Sequence, residues 1–433
     1  VEWQILIVLF GSFFFLLALG VPISFAIGLS SLLSVLMSLP FDAAIAVISQ
    51  KMASGLDSFT LLAIPFFILA GNIMNQGGIA IRLIELAKVL GGRLPGSLAH
   101  VNIIANMMFG AISGSAVASA AAVGGTMSPL QKKEGYDPAY SAAVNITSCP
   151  TGLLIPPSNT FIVYSLISGG TSIGALFLAG YLPGIIMGLS LMLVAGVIAK
   201  KRGYPLAPKP SRAEVLKKLF DALPSLGLII IIMGGIIGGI FTATEASAIA
   251  VIYTLILAVL IYREVSLKQL PAIILESVVT TSIVLLLIGA SMSMSWAMAN
   301  ADIPYLISDA LLAISENPII VLLIINLTLL IVGIFMDMTP ALLIFTPIFL
   351  PIAQDLGMDP VHFGVMMTFN LCIGICTPPV GSALFIGCSV GKVKIDKVIK
   401  PLLPFYAVLV SALMLITFVP QISLALPRLF LGY

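Results

Sequence analysis

The chain has 433 residues, 60% of them apolar and only 9% charged. So much apolar surface cannot be hidden in a soluble core, so the composition defines an integral membrane protein. The net charge of +2 says nothing of nucleic acid, because the 20 basic residues lie in loops between apolar runs and form no stripe interleaved with aromatics.

A helix needs about 20 apolar residues to cross the hydrocarbon. Taken in chain order, the apolar runs predict crossings at 3–19, 21–39, 59–76, 138–167, 173–199, 223–241, 245–262, 271–297, 360–388 and 399–425. The class is all-α and polytopic, since a barrel would show short alternating segments instead. The first run has no basic stretch before it and leads through "GVP" into the second, so it reads as a crossing and not as a cleaved signal. Two segments, 96–130 and 318–354, are too long for one crossing and are interrupted near their centres by "ISGSAVAS" and "FMDMTPA".

Charge placement gives those two segments a shape. The loop "KKRGY" at 200–204, with Lys209, Arg212, Lys217 and Lys218 behind it, is the strongest basic stretch and is assigned to the cytoplasm. Counting outward, Lys132 and Lys133 fall on the same side, as does the amphipathic stretch 79–93 with Arg82, Lys88 and Arg93. Segment 96–130 then starts and ends on one side, as a re-entrant hairpin with its tip near Ser113 to Ser119. The same count makes 318–354 a hairpin entering from the periplasm with Asp337 at its tip, and returns Lys392, Lys394 and Lys397 to the cytoplasm. Both termini are predicted to be periplasmic, and of the basic residues only Lys51 and Arg428 lie outside.

Sliding the second half over the first by 222 residues aligns Pro129 with Pro351, Gly135 with Gly357, Asp137 with Asp359, Pro138 with Pro360, Gly152 with Gly374, Pro156 with Pro378 and Pro157 with Pro379. All seven identities are residues that fix backbone shape. The chain therefore divides into a first repeat (1–203), a cytoplasmic connector (204–222) and a second repeat (223–433), each with five crossings and one hairpin. An odd number of crossings inverts the second repeat relative to the first, and inverted repeats with broken helices at the midplane are the architecture of secondary transporters.

Each "PP" pair breaks a crossing, since a proline in a helix interior costs about 3 kcal/mol. Non-helical backbone at membrane depth persists where it is buried in protein or lines water. Carbonyls freed by the breaks, with nearby hydroxyls and amides, suit a sodium ion, and "SGSAVAS" with "IPPSNT" and "MDMTPA" with "CTPPVGS" supply two such oxygen sets. A packing kink is the blander reading of the prolines, but their duplication beside a hairpin favours the ion site; Gly110 with Gly114 also forms a GxxxG that suits close helix packing. The GxxxG pairs Gly234/Gly238 and Gly235/Gly239 are assigned wholly to packing. Asp337 is either part of the second cation set or an N-cap of the hairpin's return helix. Glu245 reads as a cap or inter-helix tie near the interface. His100 and His362 have no partner suggesting chemistry, and Cys149, Cys372, Cys376 and Cys388 read as small packing residues. "GCSVGKV" at 387–393 only superficially resembles a phosphate loop, and no enzyme signature is present.

The ordered set "SGSAVAS", "GYDPAYSAAV", "IPPS", "GGIFTATEA", "GIFMDMTPALLIFTPIFLPIA" and "CTPPVG" resembles the large membrane (M) subunit of the TRAP transporters, the tripartite ATP-independent periplasmic transporters, over the whole chain. The resemblance implies a monomeric elevator transporter of the bacterial inner membrane, with a transport domain of hairpins and broken helices sliding against a scaffold. It implies two partners, a small four-helix membrane subunit (Q) and a periplasmic substrate-binding protein (P). The cargo would be Na+ and a carboxylated solute, with sialic acid first and a C4-dicarboxylate second. Carried over by position, one sodium site would fall on Ser113, Gly114 and Ser115 with Gly152, Pro156, Ser158 and Asn159, and the other on Asp337 and Thr339 with Gly374, Thr377 and Pro378. Whether Ser158 and Asn159 use their side chains stays open, since Val380 and Gly381 take those places in the second loop. A sodium/proton antiporter or channel subunit without organic cargo is the alternative of a different class.

Overall fold

Capped apolar runs become helices throughout the structure, a computed structural model that describes residues 2–433. In chain order they are α1 (Glu2–Ala18), α2 (Ile23–Val35), α3 (Phe41–Leu56), α4 (Ala63–Gln76) and α5 (Ile79–Gly91). A hairpin of α6 (Ser97–Ser113) and α7 (Ala116–Lys133) follows, then a broken crossing of α8 (Pro138–Ser148), α9 (Thr151–Leu154) and α10 (Asn159–Ile167), and α11 (Ile173–Arg202). The second half begins with α12 (Arg212–Ile237), α13 (Ala243–Leu255), α14 (Leu270–Asn300) and α15 (Ile303–Ile314). It ends with a hairpin of α16 (Pro318–Phe335) and α17 (Met338–Asp355), a broken crossing of α18 (Pro360–Gly374) and α19 (Ser382–Gly391), and α20 (Ile395–Phe418) and α21 (Pro420–Leu431). Among the described residues, eight helices are long and apolar enough to cross a membrane.

A helix–turn–helix pair occupies each of the segments 96–130 and 318–354, and the runs 138–167 and 360–388 are each interrupted. The hairpins turn at Gly114–Ser115 and at Met336–Asp337, positions 222 residues apart. The breaks follow Leu154 and Gly374, and each contains its proline pair with a cis peptide between the two prolines.

Other expectations are corrected. The run 399–425 is not one helix: α20 stops at Phe418 and α21 restarts at Pro420, which suits a helix start and not an interior. Residues 212–222 of the connector are helical and belong to α12, started by Ser211, whose side chain accepts from the Glu214 amide. Helices α3 and α15 lie where no crossing was assigned. They are short for a crossing, and α3 buries only Ala44, Ile48 and Gly55 of its length. The paired glycines of α12 do not pack against another helix. Gly234 has nothing within 4 Å, and Gly239 takes the left-handed backbone (φ +67°) that ends the helix, where the Ile240 amide reaches back to the Gly235 carbonyl. Glu245 does form a cap, closing a capping box with Thr242.

The helices pack in two groups that meet where α14 lies on α17 and α4 on α6. α1–α4 pack with α13 and α14, while α6–α11 pack with α16–α21, and α5 bridges α6 to α12. The basic stretches gather at one end: Glu85 of α5 pairs with Lys218 (3.1 Å), Arg82 with Glu264 (3.8 Å) and Asp137 with Arg202 (3.0 Å). These loops are distant in sequence, so their meeting is what one-sided charge placement requires.

Within the second group each hairpin lies against its broken helix at a glycine pair. A side-chain carbon on Gly374 would stand 2.6 Å from the Gly333 Cα, and one on Gly152 would overlap the backbone of Gly110. Gly110 thus packs as its motif suggests, whereas Gly114 does not: it is the left-handed residue (φ +63°) that ends α6. Polar ties flank both contacts. Asn106 donates to Asn145 (3.1 Å) and Ser148 (2.7 Å) in the first half, and Asn370 donates to Asn326 (2.9 Å) in the second. Without a hydrophobic drive between helices in lipid, small residues and buried hydrogen bonds supply the association. Gly152→Val and Gly374→Val are expected to lower the thermal unfolding midpoint in detergent by several degrees or to stop folded protein accumulating, as overpacking costs about 1–3 kcal/mol. Gly234→Ala, in open space, should leave the midpoint where it is, and equal behaviour of all three variants would refute the close-contact reading.

Candidate functional site at the hairpin tips

The two hairpin tips and the two broken helices converge on one cavity of about 440 Å³. Four helix N-termini open onto it: α7 through Ser115 to Ala118, α10 through Asn159 and Thr160, α17 through Met338 and Thr339, and α19 through Ser382. The C-terminal ends of α6 at Ser113 and of α18 at Ile375 open onto it as well. An N-terminus presents free amides and the positive end of a helix dipole, and a C-terminus presents free carbonyls. Such ends can turn amides toward an anion and carbonyls toward a cation, although the ends of α18 and α19 answer each other, the Ile375 carbonyl accepting from the Ala383 (3.1 Å) and Leu384 (3.4 Å) amides.

The tips differ in how they close. The Ser115 hydroxyl accepts from the Ala118 amide (3.2 Å) and caps α7, while the Ser113 hydroxyl is folded into the same turn. Asp337 occupies the N-cap position of α17 yet makes no capping hydrogen bond; its Oδ1 accepts from the Ser382 hydroxyl (3.1 Å) and ties the tip to the start of α19. The N-cap expectation thus holds for its place in the chain and fails for its side chain.

The candidate sodium residues separate into two layers. Ser113, Gly114, Ser115, Asn159, Asp337 and Thr339 line the cavity. Gly152, Pro156, Ser158, Gly374, Thr377 and Pro378 do not line it, and the structure holds several of them in packing roles. Gly152 and Gly374 make the glycine contacts, the buried Ser158 hydroxyl donates to the Leu153 carbonyl (2.6 Å), and the Thr377 hydroxyl donates to the Ile373 carbonyl (2.8 Å). The oxygen set fits a cation best at the first tip. The Asn159 Oδ1 is buried without a hydrogen-bond partner, and the amide of the same side chain lies against Gly114. A buried unpaired oxygen costs about 1–3 kcal/mol unless something accepts its lone pairs.

The opposite wall was not read from the sequence. Asn72 and Asn75 of α4 and Glu276 and Thr280 of α14 face the tips across the cavity, and Asn72 is held by a 2.8 Å hydrogen bond to Ser277. Polar residues at i, i+3 and i, i+4 on otherwise apolar helices were the available signal. Gly71 brings α4 close to the first tip, since a side-chain carbon there would lie 2.9 Å from the Ser113 carbonyl oxygen.

Broken helices whose ends meet at a cavity inside a polytopic helical protein define a transporter of small solutes. Over residues 10–422 the chain matches the family "Tripartite ATP-independent periplasmic transporter, DctM component". It is 67% identical to the uncharacterised protein YgiK of Salmonella typhimurium, over 98% of both chains. It is 41% identical to the sialic acid TRAP transporter large permease protein SiaM of Vibrio cholerae (96% of this chain, 97% of that protein). Identity to the C4-dicarboxylate TRAP transporter large permease protein DctM of Pseudomonas aeruginosa is 38% (93% and 94%). In fold it is similar to the crystal structure of the Alcanivorax borkumensis YdaH transporter, with a TM-score of 0.64 over 87% of this chain and 88% of that one at 13% identity. The chain belongs to the DctM family of TRAP transporter large permeases, multi-pass inner-membrane proteins that transport organic acids and are not enzymes.

All four native cysteines are buried, which leaves a quiet background for labelling. Asn75→Cys and Thr280→Cys are expected to react with a membrane-impermeant maleimide in inside-out vesicles, where the basic-loop face is outward. Protection of both would contradict a cavity reaching from the tips along α4 and α14.

Proposed function

We propose that this chain is the sodium-coupled membrane component of a tripartite importer for a carboxylated solute, working with a small membrane subunit and a periplasmic binding protein. The observation that carries it is the convergence of four helix N-termini and two oxygen-lined tips on one cavity that contains no lysine or arginine. A carboxylate in such a cavity is held by backbone amides and by the cations beside it, so binding of anion and sodium is mutual. Two sodium sites are assigned to the tips, the first around Ser113, Gly114, Ser115 and Asn159 with the carbonyls near Gly152, Pro156 and Ser158. The second lies around Asp337 and Thr339 with those near Gly374, Thr377 and Pro378. Each sodium charge moved inward through 100 mV supplies about 2.3 kcal/mol.

In this reading residues 1–203 and 223–433 are inverted repeats joined through 204–222, and the termini are periplasmic. The hairpin-bearing helices form the transport domain, and α1–α4 with α13 and α14 form the scaffold against which it slides as an elevator. The greater identity to the relative named for sialic acid favours that substrate, and the relative named for C4-dicarboxylates supports the second candidate.

Proteoliposomes holding the complete complex test the proposal. Sialic acid uptake should require an inward sodium gradient and should be lost in Ser115→Trp, with the thermal unfolding midpoint of that variant unchanged. Asp337→Asn should raise the sodium concentration for half-maximal uptake about tenfold, in line with the loss of a charged ligand. Uptake that persists after the sodium gradient is collapsed would overturn the coupling, and wild-type sodium dependence in both variants would overturn the sites.

A further inference from the structure

A second cavity, of about 800 Å³, lies at the basic end of the molecule, away from the hairpin tips. It is framed by the start of α8, the end of α11, the turn after α19 and the first two turns of α20. Five cations line it: Arg202, Lys392, Lys394, Lys397 and Lys400. Asp137 is the carboxylate among its lining residues, and it is already engaged by Arg202 at 3.0 Å. Asp396 lies beside the cavity on the first turn of α20, and no ion pair joins any of the four lysines to a carboxylate among the described residues.

Placement of charge in loops at the cytoplasmic end orients a membrane protein but does not call for convergence on a hollow. Here the convergence is built. The Arg202 guanidinium is fixed by Asp137 and by the Tyr204 hydroxyl (3.2 Å), and it lies 5.5 Å from the ring of Tyr140, which is buried in the cavity floor. Tyr136 stacks on Tyr204 at 4.2 Å behind it. Lys392 takes the left-handed backbone (φ +53°) at the end of α19, a place that glycine usually fills, so a cation is kept where the backbone favours no side chain. The remaining wall is apolar, made by Ile198 near the end of α11, Pro401 and Pro404 near the start of α20, and Val393 in the turn between α19 and α20.

Four unpaired cations around a hollow call for an anion with several acceptor oxygens, and a phosphate ester meets that need. The apolar wall at the end of the membrane-spanning runs of α11 and α20 calls for a ligand with a hydrocarbon part. Basic pockets between helices on this side of a membrane bind lipid headgroups. We propose that this cavity holds the phosphate headgroup of an anionic phospholipid, with Arg202 and the four lysines on the phosphate oxygens and the acyl chains along the apolar wall. The phosphate-loop resemblance of "GCSVGKV" is not part of the argument, because Gly387 to Gly391 is helical and its amides are used within α19.

Native mass spectrometry of the purified protein with added phosphatidylglycerol, phosphatidylcholine or inorganic phosphate tests the site. The wild-type protein should retain phosphatidylglycerol under conditions that strip phosphatidylcholine. Lys397→Gln/Lys400→Gln should weaken that retention about tenfold, while Lys209→Gln/Lys217→Gln, outside the cavity, should not. Lys392→Gln/Lys394→Gln, in the preceding turn, provides the same reading if the first pair fails to purify in folded form. Equal retention of the two lipids, unchanged retention in the cavity variants, or an equal loss in the control pair would overturn the proposal. Displacement of phosphatidylglycerol by inorganic phosphate at equal concentration would assign the site to a soluble phosphate and overturn its lipid nature.

Discussion

The contact of glycine on glycine, Gly110 against Gly152 and Gly333 against Gly374, is the constraint from which the rest of this structure follows. It lets a hairpin arm pass so close to a broken helix that backbone meets backbone. A methyl group at any of the four positions would push the two apart. Separation would carry the tip away from the break, and with it the helix ends that make the cavity. Lipid exerts no hydrophobic pressure to restore the contact, so the asparagine ties beside each pair hold it in place.

Closeness of the two backbones also explains why the breaks are tolerable. A helix interrupted in hydrocarbon leaves up to four carbonyls and four amides without partners, and each is costly there. Here the second break answers several of its own carbonyls locally. Ile375 accepts from Ala383 (3.1 Å), Gly374 from Thr377 (2.9 Å), and Cys376 from the Tyr406 hydroxyl. The second half also answers carbonyls of the first, as where the Cys376 thiol donates to the Ile146 carbonyl (3.1 Å) and the Cys372 thiol to the Pro150 carbonyl (3.6 Å).

Features that fix the backbone were legible in the sequence, and features that depend on approach were not. Proline pairs and the interrupted runs at Ser113 and Asp337 marked the breaks and the turns, while the Asp-Pro helix starts, where Asp137 and Asp359 cap α8 and α18, were read only as repeated positions. The glycines of α12 misled, because GxxxG spacing is the same whether a glycine packs against a neighbour, as Gly110 does, or ends a helix, as Gly239 does. Helices α3 and α15 were missed because a crossing-length window passes over short helices. Glu276, Asn72 and Asn75 carried a helical-spacing signal but were missed, because that spacing alone does not tell a cavity wall from a helix interface. Their opposition to the tips is a tertiary fact, carried by the packing of α14 on α4.

The two tips are alike in backbone and unlike in charge. Positions 115 and 337 correspond across the 222-residue offset, and they hold a serine that caps its own helix and an aspartate that does not. Across from them the loops differ in the opposite sense, with Ser158 and Asn159 in the first and Val380 and Gly381 in the second. The first cradle is therefore neutral and rich in side-chain oxygen, while the second carries a formal negative charge and leans on backbone. A cation at the second tip would be partly neutralised by Asp337, whereas one at the first would keep its full charge toward the cavity. In the proposed mechanism that makes the first ion the one whose charge is shared with the anionic solute. The second would then chiefly fix the tip against α19 through Asp337 and Ser382, so that under this proposal matching backbone at the two tips would frame both sites while the side chains that differ would divide their work.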